Sequence, residues 1–373
     1  MRRLLPLLAL LLIPAPSTAR ADGCPPSTCG STSTASPGSD LVLVRPWGRA
    51  GSLQAYDVRT GARRYTLPAG ILAADGRTFI SSARVKAPRT TVVRYDVRSG
   101  HLVRGWSLAG RNWSPAGVTA DGNRFALLKN GRKVTFVRIG RSQIVLRGFY
   151  ELEALSPNGK RLFLIHWKNN GYDLQQLDLA TRKLSPTRLD EPDEKMSGTA
   201  VSSVATRDGH WLLTLYGKGD GHSFVHALDL HTGLAHCIDL PLVGDLLMLG
   251  STALTLSPDE RTLYLTSPYL GRVTTVDLAK LELRSVVRFP RIAPLDDLSV
   301  GPSAAVNRNG RMLAFSGGRS IWLYDTAFGV VRRVKGRPTE ITGLGFRPEG
   351  RRLLILQRRG APIFLDAATG EPG

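Results

Sequence analysis

The chain has 373 residues, of which 42% are hydrophobic and 21% are charged. This composition excludes a disordered chain, and the lack of any run of 18 apolar residues excludes a helical membrane protein. The 50 lysines and arginines outnumber the 30 aspartates and glutamates, so the formal net charge is +20. A surplus of this size attracts polyanions, or it reflects an arginine-rich composition without a binding role. The sequence leaves both interpretations open.

Residues 1–21 have the three parts of a secretory signal peptide. Arg2 and Arg3 give a positive start, an apolar run extends from Leu4 to Ile13, and Ala19–Ala21 has the small-x-small pattern of a cleavage site. We therefore expect the mature protein to be exported, to the periplasm or out of the cell, without a transmembrane segment. The sequence does not distinguish Sec export from twin-arginine export.

Residues 22–40 form a predicted linker rich in Cys, Pro, Ser and Thr. Cys24 and Cys29 lie in this linker, and an oxidising compartment would join them in a small disulfide loop. Cys237 is the third cysteine, and it is either a buried free thiol or a reactive or intermolecular one. We predict no metal site, because the cysteine pair has no matching second pair and the histidines between residues 210 and 236 lack convincing ligand spacing.

From residue 41 onward the chain repeats a unit of four short strands. A tight turn of the Asp-Gly or Asn-Gly type follows the first strand of each unit, as in Leu155–Leu164, because both residues of such turns readily adopt positive φ. The third strand ends in an aspartate that opens a Thr-Gly-type turn, as in Tyr56–Gly61 and Tyr95–Gly100. We interpret these aspartates as turn residues and not as catalytic carboxylates. These turns recur about every 46 residues, and a four-stranded repeat of this length predicts a β-propeller.

This combination of turns resembles the YVTN and WD40-like propeller repeats, the latter including the TolB-type repeats. Leu256–Leu265 and Leu228–Gly233 carry the same two phrases, although no unit has the Trp-Asp ending of WD40 repeats. The resemblance covers residues 41–373 and implies a single all-β domain of four-stranded antiparallel blades around a channel. Seven inner strands precede the Asp-Gly-type turns, whereas eight pairs of second and third strands are present. We favour seven blades, with the terminal strands sharing the closing blade, and keep eight as the alternative.

The order of strands in such a blade assigns every loop to one of two faces. The turns between strands one and two and between strands three and four share the turn face; the remaining loops and the connections between blades share the variable-loop face. Variable loops on a rigid scaffold usually carry function. The candidate ligand-binding residues of this face are Trp47, Arg84, Lys129, Trp167, Lys168, Tyr172, Tyr269, Arg319 and Arg358. The candidate acids of the channel mouth are Glu151, Asp193, Asp245, Asp296 and Glu340.

The repeat is accompanied by no catalytic motif in the sequence: no Gly-x-Ser-x-Gly elbow, P-loop, dinucleotide fingerprint or Cys-x-x-Cys-His haem site. We therefore predict a monomeric binding or scaffold module without a cofactor. Its variable-loop face would bind a cell-envelope protein or an anionic polysaccharide through arginine forks and aromatic rings. A channel-mouth enzyme, either a lactonase-like hydrolase or a redox subunit, is the alternative. Nucleic acid is not expected as a partner, because no nucleic-acid-binding motif is recognisable.

Overall fold

A computed structural model describes residues 33–34, 40–45, 52–84, 88–168, 171–190, 197–292, 301–334 and 339–371; the side chains of residues 33, 34 and 84 are not described. These residues form a single all-β propeller of eight blades, with one short helix. The favoured count of seven blades is wrong, and the alternative of eight is confirmed. No helix among the described residues is long and apolar enough to cross a membrane.

Within each blade the strands follow chain order from the channel outward. Their bounds in blades 1 to 4 are β1 (Ser33–Thr34), β2 (Leu41–Val44), β3 (Leu53–Asp57) and β4 (Arg63–Leu67); β5 (Gly70–Leu72), β6 (Thr78–Arg84), β7 (Arg89–Asp96) and β8 (Leu102–Ala109); β9 (Ser114–Val118), β10 (Phe125–Asn130), β11 (Val134–Ile139) and β12 (Ser142–Arg147); and β13 (Phe149–Leu155), β14 (Arg161–Lys168), β15 (Gly171–Asp178) and β16 (Leu184–Pro186).

The bounds in blades 5 to 8 are β18 (Thr199–Ala205), β19 (Trp211–Gly217), β20 (Ser223–Asp229) and β21 (Leu234–Leu240), with β17 (Arg188–Leu189) as an added fifth strand outside β21; β22 (Ala253–Leu256), β23 (Thr262–Ser267), β24 (Arg272–Asp277) and β25 (Glu282–Arg288); β26 (Ser303–Val306), β27 (Met312–Gly317), β28 (Ser320–Asp325) and β29 (Val330–Arg333); and β30 (Ile341–Phe346), β31 (Arg352–Gln357) and β32 (Ile363–Asp366). The helix α1 (Leu246–Gly250) lies in the connection between blades 5 and 6.

The aspartate at the end of each third strand holds the turn that follows it. Asp57 Oδ1 accepts the backbone N–H groups of Arg59 at 2.8 Å and Thr60 at 2.9 Å. Asp96 repeats this arrangement, and the hydrogen bonds from Ser99 lower the pKa of its carboxyl group. These carboxylates are occupied by turn backbone, which supports their interpretation as structural residues.

The ring closes by side-chain packing between the first and last blades. Val42, Val44 and Val58 of blade 1 pack against Leu354 and Leu356 of blade 8. The predicted shared closing blade is therefore also wrong, because β2–β4 and β30–β32 belong to separate sheets. Two sheets close over each other in this way when complementary apolar faces are available, so an exchanged strand is not required.

The strand β1 lies ahead of residue 41, where the sequence places the start of the propeller. Its backbone pairs antiparallel with β2 and parallel with β26, at Ser303. This pairing joins the sheets of blades 1 and 7 into one eight-stranded sheet. The segment at residues 33–34 thus takes part in the propeller sheet system.

Arginine side chains on the turn face cross six of the eight blade junctions. Arg161 of blade 4 makes the best-formed bridge, because its Nη1 donates to the carbonyl oxygen of Thr232 at 2.8 Å and its Nη2 to that of His231 at 2.7 Å. The other bridges are Arg94 to Asn123, Arg124 to Asn158, Arg207 to Glu260, Arg332 to Ala367 and Arg347 to Arg59. Part of the basic surplus therefore has a structural role.

Replacement of Arg161 by methionine is expected to lower the free energy of unfolding by about 2 kcal/mol, because two hydrogen bonds from a charged donor are lost. Urea denaturation at neutral pH measures the difference. Lys160→Met is the matched control, since Lys160 is the exposed neighbour of Arg161. An equal effect of the two substitutions would show that the bridge contributes nothing specific.

Candidate functional site

Several predicted site residues lie outside the described part of the chain. They are Trp47, Asp193, Asp296, Cys24 and Cys29, together with the side chain of Arg84, which is the last residue of β6. Their roles and the predicted disulfide stay predictions.

Four other predicted residues lie on the variable-loop face in three separate parts of the ring: blade 3 for Lys129, the junction of blades 5 and 6 for Tyr269 and Asp245, and blade 7 for Arg319. Lys129 is near the end of β10, with its Nζ 5.5 Å from the centroid of an aromatic ring on β11. Tyr269 is buried after β23, and burial raises its pKa. Arg319 is exposed between β27 and β28. Asp245 caps α1 by accepting a backbone N–H at 2.8 Å. These residues do not form a common site.

At blade 8 one candidate ligand-binding residue and one candidate acid of the channel mouth are in direct contact. Arg358 Nη1 lies 2.9 Å from Glu340 Oε2, in a partly exposed ion pair. The two charges offset each other, so Arg358 and Glu340 are partners in an ion pair here.

Two of the predicted aromatic residues, Trp167 and Tyr172, meet two aromatic rings of blade 5. Trp167 at the end of β14 pairs in register with Tyr172 on β15, and their ring centroids are 5.4 Å apart. Tyr172 lies 6.4 Å from Tyr216 on β19, and Tyr216 stacks on Phe224 of β20 at 5.3 Å. Tyr216 and Phe224 are buried, whereas Trp167 and Tyr172 are only half-buried. We call these four residues the aromatic cluster.

Charged groups surround the aromatic cluster. Lys168 forms an exposed ion pair with Asp173, and Lys218 Nζ lies 5.0 Å from the ring centroid of Phe224. Glu151 is half-buried at the start of β13, next to the strand that carries Trp167, and burial raises its pKa. The edge of the cluster therefore presents two lysines next to stackable rings.

Beneath the aromatic cluster a carboxyl group and an imidazole are buried together. Glu153 is the extra residue of a β-bulge, because Leu152 pairs with Leu164 and Ala154 with Phe163. Its Oε1 lies 3.4 Å from the Nε2 of His226 on β20. Glu153 is 2% exposed and His226 0%. Among the described residues, neither group has a hydrogen bond of good geometry.

Burial sets the protonation of both groups. It raises the pKa of Glu153 to about 8 and lowers the pKa of His226 to about 4. Both are therefore uncharged at neutral pH. Burial also raises the pKa of Tyr172, and Glu153, which is ionised at the high pH where a tyrosine titrates, raises it further. Cys237 lies on β21, directly opposite His226 of β20 in the register of the two strands. Glu153, Tyr172, His226 and Cys237 form what we call the buried polar cluster.

The buried polar cluster offers acid–base groups but no route for a substrate, because Glu153 and His226 are enclosed between the two blades. No group of three or more His, Cys, Asp or Glu side chains suited to a metal ion exists within the described ranges. Sequence reasoning missed Glu153, because an alternating strand would place Glu151 and Glu153 on the same side and a bulge is not visible in the pattern. His226 is a polar residue within an apolar stretch of β20, and it is the sequence feature that could have indicated a buried polar contact.

Comparisons with known proteins support the fold. No protein-family model matches the chain, and no curated protein matches it either. The dihydro-haem d1 dehydrogenase NirN, solved in complex with DHE, is 16% identical, with 91% of this chain and 73% of that chain covered and a TM-score of 0.51. The Dos1 propeller is 11% identical, with 91% and 94% covered and a TM-score of 0.50.

The propeller domain of Cps50 (Swd1) from Myceliophteria thermophila is 14% identical, with 90% and 98% covered and a TM-score of 0.43. Identities this low show the propeller fold alone. The resemblance of the repeat to YVTN and WD40-like repeats, including the TolB type, stays a prediction.

Proposed function

We propose that this chain is an exported, non-enzymatic propeller that binds an acidic glycan on the variable-loop face of blades 4 and 5. The observation that carries the proposal is the aromatic cluster with Lys168 and Lys218 at its edge. Three of the predicted binding residues, Trp167, Lys168 and Tyr172, lie together here on the β14–β15 hairpin, and blade 5 adds Lys218 and two more aromatic rings.

The chemistry of an acidic glycan matches both parts of this surface. The faces of sugar rings pack on tryptophan and tyrosine rings, and Trp167 and Tyr172 are the two members of the cluster that solvent reaches. The carboxylates of uronic acids pair with lysines. The exposed Lys168–Asp173 ion pair is worth no more than about 1 kcal/mol, so an arriving carboxylate can compete for Lys168.

Binding is tested with an oligogalacturonate as the probe, by titration calorimetry at low and high salt. Lys168→Gln combined with Lys218→Gln is expected to weaken binding about tenfold at low salt, because two charge-assisted contacts are lost. The difference should shrink at high salt, since these charges are exposed.

Lys280→Gln combined with Lys160→Gln is the matched control for this experiment, because it removes two exposed lysine charges from the turn face. Lys280 forms an exposed ion pair with Glu282 on the turn face, as Lys168 does with Asp173 on the variable-loop face. An equal loss in the control would mean that the net charge of the chain, and not this surface, attracts the probe. Absence of binding by the native chain would leave a cell-envelope protein as the ligand class to examine.

The structural neighbours show the propeller fold alone, so they do not choose between the binding and the enzymatic interpretation. Two of the described acids of the channel mouth have local partners, the α1 backbone for Asp245 and Arg358 for Glu340, and Glu151 is half-buried. They belong to separate parts of the ring. We therefore base no catalytic proposal on them.

A further inference from the structure

An exposed apolar segment lies on the variable-loop face between blades 5 and 6. Val243, Leu246 and Leu247 are 57%, 42% and 57% exposed. The segment is nevertheless held in place, because Leu249 of α1 is fully buried and the helix covers Gly217, where an added Cβ would lie 2.7 Å from Leu246 Cδ2. Three large apolar side chains are thus presented to solvent by a packed element.

Three arginines of blade 6 lie at the same end of the sheet. Arg272 and Arg288 are directly opposite in the register of β24 and β25, and Arg291 follows β25. Like charges in directly opposite positions destabilise a sheet. Arg272 donates to two backbone carbonyl oxygens, of Leu270 and Gly271. No carboxylate forms an ion pair with any of these arginines among the described residues.

The apolar segment and the arginines form one continuous surface. A Cβ added at Gly244 would lie 2.9 Å from Leu270 Cδ2, and one added at Gly271 would lie 3.2 Å from Arg291 Cβ. The loop of residues 243–247 therefore contacts the β23–β24 loop, which in turn contacts Arg291. We call Val243, Leu246, Leu247, Arg272, Arg288 and Arg291 the apolar-basic patch.

We infer that the apolar-basic patch docks on an anionic lipid surface. Such a surface is the partner that accepts apolar side chains at the level of its acyl chains and pairs cations with its phosphates at the same time. A soluble acidic glycan would satisfy the arginines and leave the leucines in water. Asp245 is the one acid of the loop, and its carboxylate is turned to the backbone N–H of Met248 at 2.8 Å.

This inference is independent of the proposed glycan site. The aromatic cluster belongs to blades 4 and 5, where aromatic rings and lysines of the chain would contact a sugar. The apolar-basic patch belongs to the junction of blades 5 and 6. A chain using both would rest on a membrane surface while holding a glycan on the neighbouring blades.

Flotation with vesicles tests the inference on the complete mature chain. Vesicles that mix phosphatidylglycerol with phosphatidylcholine are expected to bind the chain, and pure phosphatidylcholine vesicles are not. Each cation near an anionic surface strengthens binding by a little over about fivefold. Arg288→Gln combined with Arg291→Gln should therefore weaken binding roughly thirtyfold. Leu246→Asn with Leu247→Asn should weaken it at least about tenfold. Circular dichroism melting verifies that both variants fold.

Phe328→Asn is the matched control, because Phe328 is 82% exposed on the opposite, turn face. It is expected to leave vesicle binding unchanged. Equal binding to both vesicle types, no binding to either, or an equal loss in the Phe328 variant would overturn the inference. Concentration-dependent dimers that disappear in the leucine variant would also overturn it, since the patch would then bind a second copy. Oligogalacturonate titration of the same variants separates this outcome from failure of the glycan proposal.

Discussion

Replacement of Leu354 by alanine is expected to lower the free energy of unfolding by about 3 kcal/mol. Leu354 is fully buried in the layer that joins blade 8 to blade 1, where it packs with Val42, Val44 and Val58. This layer holds the ring closed without an exchanged strand among the described residues. Gly345 shows how close the two blades approach, because an added Cβ would lie 2.2 Å from Val42 Cγ2. A cavity left by alanine therefore has little freedom to collapse.

Leu102→Ala provides the matched control for this prediction. The substitution is chemically the same, but Leu102 is largely exposed on β8, an outer strand. Its effect should stay within about 0.5 kcal/mol in urea denaturation at constant pH. Comparable losses in the two variants would mean that the closing layer is not a point of special sensitivity.

Replacement of Glu153 by glutamine is expected to abolish a fall in stability between pH 6.5 and about pH 8. In the unfolded chain the glutamate ionises near pH 4.5, whereas burial in the folded chain delays this to about pH 8. Folded Glu153 thus keeps a proton that the unfolded chain has released. Stability consequently decreases as pH rises through this window, by about 1.4 kcal/mol per pH unit and about 2 kcal/mol in all.

His226 changes the expected profile at lower pH. Its pKa falls from 6.5 in the unfolded chain to about 4 in the folded one, so stability from this group increases as pH rises from about 4 to 6.5. The contribution of Glu153 has the opposite slope over most of that range. The two slopes cancel between about pH 4.5 and 6.5, and native stability should form a plateau there.

Urea denaturation at a series of pH values measures the free energy of unfolding of the native chain, the Glu153→Gln variant and a control variant. The Glu153→Gln chain should gain stability relative to the native chain as pH rises from 6.5 to 8, because glutamine has no proton to lose. Glu282→Gln, in an exposed ion pair with Lys280, is the control and should follow the native profile. A native profile without the fall above pH 6.5 would disprove the assigned protonation of the buried polar cluster.

The local chemistry of the repeat was predictable from the sequence because it depends on neighbouring residues. An aspartate that ends a strand and a glycine shortly after it close a turn by their own backbone contacts, as Asp57 and Gly61 do. The four-strand unit and the division into a turn face and a variable-loop face follow from those turns. Trp167, Lys168 and Tyr172 lie at the same end of one hairpin, β14–β15, for the same reason.

The count of blades and the location of the polar groups depended on contacts between distant parts of the chain. Strand pairs at both ends of the sequence were visible, but whether they share a sheet is decided by how Val42 and Leu354 pack. The bulge at Glu153 turns its side chain to the side opposite the one that strand alternation predicts. The carboxyl group is thereby buried against His226, which is 73 residues later in the sequence. Neither outcome has a local signal.

The sequence by itself determined a repeated four-stranded blade, its turns and the face on which variable loops gather, because each of these is a property of a few adjacent residues. Only the tertiary structure decided that there are eight blades, that arginines bridge their junctions, and that an aromatic cluster, a buried polar cluster and an apolar-basic patch lie on blades 4 to 6. Those features arise where neighbouring blades pack, and packing brings together residues that no short stretch of chain relates.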